Sequence, residues 1–161
     1  MPHTTTSQTI GPFFHEGLKW AFAQPAAANA SIALTGRVFD GNGAPVTDAM
    51  IEAWQPNASS SEKNSLGICR VTTDSEGCFA LSLAPVSVDA GAPLAYVCVF
   101  ARGLLNHQFT AVFTSDAKSN LLEQVTAVRR STLVARKLDD SRHEWDIHLQ
   151  GVNETVFFEY V

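Results

Sequence analysis

The chain has 161 residues, 45% of them hydrophobic, which is enough apolar material to predict one domain, 1–161, around a real core. Its 16 acidic residues against 11 basic ones leave a net charge of -5, so it carries no basic footprint for nucleic acid or for an anionic membrane surface. The 3 cysteines, Cys69, Cys78 and Cys98, are an odd set without CxxC spacing and suggest neither a disulfide framework nor a zinc site; Cys98 reads as a small core residue.

The opening Met1-Pro2-His3-Thr4-Thr5-Thr6 has neither the positive start nor the apolar run of a signal peptide, which predicts a cytoplasmic protein. Residues 1–30 form an arm in composition: Thr and Ser, then Gly11-Pro12, then Phe13, Phe14, Trp20 and Phe22, which need something to cover them. From 31 to 161 the pattern is β. Ile32 to Phe39 and Met50 to Trp54 flank the glycine-rich turn Asp40-Gly41-Asn42-Gly43, a hairpin-like pair. A polar loop follows, and Ile68 to Thr73 and Cys78 to Leu83 around Asp74-Ser75-Glu76-Gly77 read as a second pair.

Leu94 to Ala101 is the most apolar run in the chain, with apolar residues on both parities, as in a strand buried on both faces, and it is too short to cross a bilayer. It stops on Arg102-Gly103, so Arg102 is the first charge after it. Gln108 to Thr114, Thr132 to Leu138, His143 to Leu149 and Thr155 to Tyr160 read as further strands, and Asn120 to Val125 as the one short helix. Short strands at regular spacing with almost no helix predict an all-β sandwich.

No phosphate-binding loop, nucleophile elbow or HExxH is present. His143 and His148 are an odd number of positions apart, so a regular strand puts them on opposite faces and keeps them from sharing a metal. Glu144, Asp146 and His148 share one parity and Trp145 and Ile147 the other, the pattern of a half-buried strand.

Ser7-Gln8-Thr9-Ile10-Gly11-Pro12-Phe13, Gly36 to Gly43, Ile51-Glu52-Ala53-Trp54-Gln55 and Phe100-Ala101-Arg102-Gly103 together resemble the intradiol ring-cleavage dioxygenases. Arg129 to Ala135 and the tail Gln150 to Phe158 narrow the likeness to the alpha chains of two-chain members. The resemblance implies a prealbumin-like β-sandwich and, in catalytic members, a ferric ion held by two tyrosines and an His-x-His. Here the His-x-His positions are Leu94 and Tyr96, and the only tyrosines are Tyr96 and Tyr160. A leucine has no lone pair for iron, so the chain is expected to hold no metal and no cofactor, with Fe(III) in a beta partner. The resemblance further implies that the alpha arm and arginine wall the partner's pocket for an aromatic diol carboxylate. Carried over residue by residue, the substrate-binding set is Thr9, Gly11, Pro12 and Arg102, with no catalytic residue in this chain. Two loops, Trp54 to Val71 and Leu83 to Pro93, look shortened against the family. The alternative is a stand-alone prealbumin-like binding module without enzymatic activity. The arm Ser7 to Phe14, which such a module does not need, argues against it.

Overall fold

The computed structural model describes residues 14, 17–18, 30–55, 67–86 and 91–159. Strand β1 (Ile32–Phe39) alternates in burial, with Leu34 and Val38 turned inward, and is the centre of the first sheet. It pairs antiparallel with β4 (Cys78–Leu83) and parallel with β8 (Arg142–Glu144) and β9 (Ile147–His148), while β7 (Arg136–Lys137) pairs with β8. The second sheet is antiparallel throughout, in the order β3 (Ile68–Thr72), β2 (Met50–Trp54), β5 (Ala95–Phe100), β6 (Gln108–Val112). Leu34, Val38, Leu81 and Leu83 from the first sheet meet Ile51, Ala53, Val97 and Val99 from the second, so the two sheets close on one apolar layer as a sandwich.

The two expected hairpins are not hairpins. β1 and β2 lie in opposite sheets, and so do β3 and β4. The turn chemistry is as read, but each turn is a local loop built on an aspartate. Asp40 Oδ1 accepts the N–H groups of Asn42 and Ala44, and Asp74 Oδ1 accepts those of Glu76 and Cys78, all at 2.8–2.9 Å. These amides, that of Cys78 first, hold the Asp74 carboxyl below the usual carboxylate range. After Asp40 the antiparallel pairing lasts only to the Phe39–Pro45 bridge, and the chain then crosses to the other sheet.

Other expectations are also corrected. Strand β5, read as buried on both faces, is fully buried only on the face that carries Ala95, Val97 and Val99. Tyr96, Cys98 and Phe100 on the other face are half-buried, and Cys69 is the core cysteine instead of Cys98. Residues Thr132 to Leu138 give a 3-10 turn (Ser131–Leu133) and then only the short β7, because the Thr132 hydroxyl donates back to the Arg129 carbonyl and keeps the chain coiled. His143 to Leu149 is broken between β8 and β9. Trp145 N–H donates to the Thr35 carbonyl there, and Gly36 makes room, since a Cβ at that position would overlap the Trp145 carbonyl. The inward set is His143, Trp145 and Ile147, with Asp146 exposed and Glu144 and His148 half-buried, as the parity predicts. The tail through Thr155 to Glu159 forms no strand of its own, although it runs beside the edge strand β6 and shields it.

Helix α1 (Asn120–Gln124) and the single turn α2 (Ala127–Arg130) lie over part of the second sheet's outer face. Leu121, Leu122 and Val125 pack there with Ala111, Phe113 and Leu133 into a second apolar cluster.

Candidate functional site

Strand β5 ends at Phe100, and Ala101 is still fully buried. The chain then reverses in a turn closed by Leu104 N–H to the Ala101 carbonyl at 3.4 Å, with Gly103 at φ +89°, a left-handed conformation that favours glycine. The geometry lifts Arg102 off the end of a rigid strand. Its Nε meets Asp48 on the loop before β2, where Asp48 Oδ2 is buried and faces no other donor among the described residues. Asp48 is 18% exposed and Arg102 63%, so the pair is anchored at its base and open at its tip. An arginine held this way presents the rest of its planar fork to an external carboxylate at little further entropic cost.

Phe100 supplies the floor beside that turn. The His107 ring lies 5.4 Å from it and the Phe14 ring 6.1 Å from it, both tilted. Phe14 therefore sits beside the strand end that carries Arg102. Thr9, Gly11 and Pro12 themselves lie outside the described residues, as do Phe13, Trp20 and Phe22.

The opposite end of β5 is closed. Leu94 is 2% exposed and belongs to the core cluster. Tyr96 lies between Trp54 and Phe109, with ring centroids 5.9 and 6.0 Å away. The buried amide of Gln55 clamps this end. Its Nε2 donates to the carbonyls of Ala84 and Leu94, both at 2.9 Å, and its Oε1 accepts Ala84 N–H at 2.8 Å. Leucine in the core and a tyrosine ring packed in an aromatic row do not fit a ferric centre. Among the described residues there is no group of three or more His, Cys, Asp or Glu able to hold a metal. The histidines serve elsewhere: His148 stacks on Phe39 at 5.0 Å, and His143 is buried in the first sheet. Burial pushes the Cys69 thiol up to about 11, which removes it as a nucleophile near neutral pH.

The sequence marks Arg102 as the first charge after the apolar run, with a pocket role only through the family resemblance, and assigns no role to Asp48 or Gln55. Gln55 closes a strand motif, and a polar residue there is a signal for a buried, fully bonded amide. Asp48 gives no such signal, because an acid in a loop is ordinary.

No helix among the described residues is long and apolar enough to cross a membrane. No protein-family model matches the chain. Whole-protein comparison is more informative. The chain is 34% identical to the protocatechuate 3,4-dioxygenase alpha chain of Burkholderia cepacia, over 96% of each. It is 32% identical to that of Pseudomonas putida, over 97% of this chain and 96% of the relative. That second alignment spans 195 positions against 161 residues here, so the relative carries segments that this chain lacks. In fold, the chain is similar to an intradiol ring-cleavage dioxygenase from Tetranychus urticae, with a TM-score of 0.54 at 9% identity over 94% of this chain and 98% of the other. The chain therefore belongs to the intradiol ring-cleavage dioxygenase family, as a homologue of protocatechuate 3,4-dioxygenase alpha chains.

Proposed function

We propose that the chain is the iron-free alpha subunit of a cytoplasmic two-chain enzyme whose beta subunit holds Fe(III). That enzyme would cleave protocatechuate (3,4-dihydroxybenzoate) with O2 to 3-carboxy-cis,cis-muconate. In this reading residues 1–30 are an arm, residues 31–161 the sandwich, and Thr9, Gly11, Pro12 and Arg102 wall the partner's pocket. The ring chemistry belongs to the partner's ferric ion. What this chain supplies is a fixed cation and a shaped wall. The Arg102 fork suits the substrate carboxylate, Gly11 allows close backbone approach, and Pro12 fixes φ without offering a donor. The observation that carries the reading is the turn after β5: Arg102 is tied to Asp48 at its base, open at its tip, and next to the Phe100 on which arm residue Phe14 rests.

The test is steady-state kinetics of the chain reconstituted with its beta partner. Arg102→Ala keeps assembly and iron content and lowers kcat/KM for protocatechuate by roughly tenfold to a hundredfold, as expected for a charge-assisted hydrogen bond of about 1.5–3 kcal/mol. Most of the loss falls in KM, since the contact holds substrate and transition state alike. Arg102→Lys recovers part of it, because an ammonium lacks the fork. Catechol, which has no carboxylate, is turned over equally by both forms. Equal losses for the two substrates would reduce Arg102 to a structural role. A purified chain that binds one iron and absorbs visible light as a tyrosinate complex would overturn the iron-free reading.

A further inference from the structure

The outer face of the second sheet changes character along β2 and β5. Its successive outward rungs are Trp54–Tyr96, Glu52–Cys98 and Met50–Phe100. Ala49 and Ala101 come next and are fully buried, and the following outward rung is the ion pair of Asp48 and Arg102. Trp54 at one end of this face is 46% exposed, whereas Met50, on the same face of the same strand, is 1% exposed. An outward side chain is buried only where something lies over it. Phe14 comes down on that rung, its ring 6.1 Å from Phe100, and the His107 ring lies 5.4 Å from Phe100. Leu18 N–H donates to the Phe14 carbonyl at 3.2 Å and closes a single turn behind the ring. The Phe14 contact and the ion pair thus stand on adjacent outward rungs of one strand pair.

We propose that Phe100 is a positioning residue for the subunit pocket: it seats Phe14, and through Phe14 it holds the N-terminal arm beside Arg102, an inference that rests on the proposed function. Chain length gives the seat its leverage. Pro12, Gly11 and Thr9 precede Phe14 by two, three and five residues, so a fixed Phe14 confines them to within about 7, 11 and 18 Å of it. With the seat removed, the arm and the Arg102 turn are in register in only a fraction of molecules, and apparent affinity falls by that fraction. The loss is shared by every substrate that uses the wall. Arg102 differs in this respect, because its fork reads only the carboxylate.

The experiment has two parts. In the first, Phe14 is replaced by 4-fluorophenylalanine and the full chain is observed by fluorine NMR, without any partner. The native resonance is expected to be displaced from its position in urea by the neighbouring rings, and Phe100→Val, which suits a half-buried strand position but has no ring, moves it toward the unfolded value. In the second, the chain is reconstituted with its beta partner. Phe100→Val and Phe14→Ala each raise KM roughly twofold to tenfold, for protocatechuate and for catechol alike, with kcat unchanged at saturation. Phe14→Tyr, which keeps the ring, restores the parent KM. Combining Phe100→Val with Phe14→Ala adds nothing, because Phe100 acts only through Phe14. A resonance that Phe100→Val leaves in place, or an unchanged KM for both substrates, would overturn the proposal. So would a loss confined to protocatechuate, which would mean that Phe100 supports Arg102 and not the arm. Failure of the carboxylate reading looks different: Arg102→Ala then weakens both substrates equally, while the effects of Phe100→Val on the resonance and on KM persist.

Discussion

The two ends of β5 are built on opposite principles. At its start Leu94 is in the core, Tyr96 lies in a row of rings, and Gln55 ties the backbone there to Ala84 at the end of β4. At its far end a left-handed glycine turn lifts Arg102 into solvent, and a single half-buried carboxylate holds it. The same strand is thus sealed where the family resemblance would put metal ligands and left open where it would put a substrate-facing cation. The contrast can be tested from either end.

The largest effect is expected at the sealed end. Leu94→Ala removes a buried side chain from the core and costs about 3 kcal/mol, within the range for such truncations. Gln55→Leu comes next, at about 2 kcal/mol. It fits the volume but strands Ala84 N–H and the carbonyls of Ala84 and Leu94, and water entering at the sheet end recovers part of the loss. Urea unfolding of each variant measures both. A Gln55→Leu chain as stable as the parent would mean that the clamp is decoration and that Leu94 packing alone closes this end.

How much of this could be read from the sequence follows from which forces are local. The alternation of Leu34 and Val38, or of Phe79, Leu81 and Leu83, is set by the two-residue period, and these strands stand where it puts them. Strand partners were not legible, because Asp40 and Asp74 close compact loops of their own whose Asp-Gly chemistry is that of a hairpin, and the crossing to the second sheet is decided by core packing between distant residues. The break at Trp145 was hidden for the same reason: it depends on the missing Cβ of Gly36, more than a hundred residues away in the chain. At the site, Arg102 was visible as the first charge after an apolar run. Its tether Asp48 was not, since that residue's role is defined by what faces it in space.

The smallest effect tests the open end without touching the arginine. Asp48→Asn keeps the shape and removes the charge beneath Arg102. Stability should change by less than about 1 kcal/mol, because the arginine is mostly exposed and the pair is screened. Two consequences for substrate binding then compete. Losing the tether frees the guanidinium to rotate, and restoring its orientation on binding costs about 0.5–1.5 kcal/mol. Losing the acid also strengthens the local positive field, but the water around this mostly exposed arginine keeps that gain small. Orientation wins at ordinary ionic strength, so KM for protocatechuate in the reconstituted complex rises by roughly twofold to tenfold. Adding Asp48→Asn to Arg102→Ala changes nothing further, because Asp48 acts only through the arginine, and the double-mutant cycle measures that coupling. A fall in KM that disappears with added salt would show that the field dominates and that Asp48 restrains Arg102 electrostatically without aiming it.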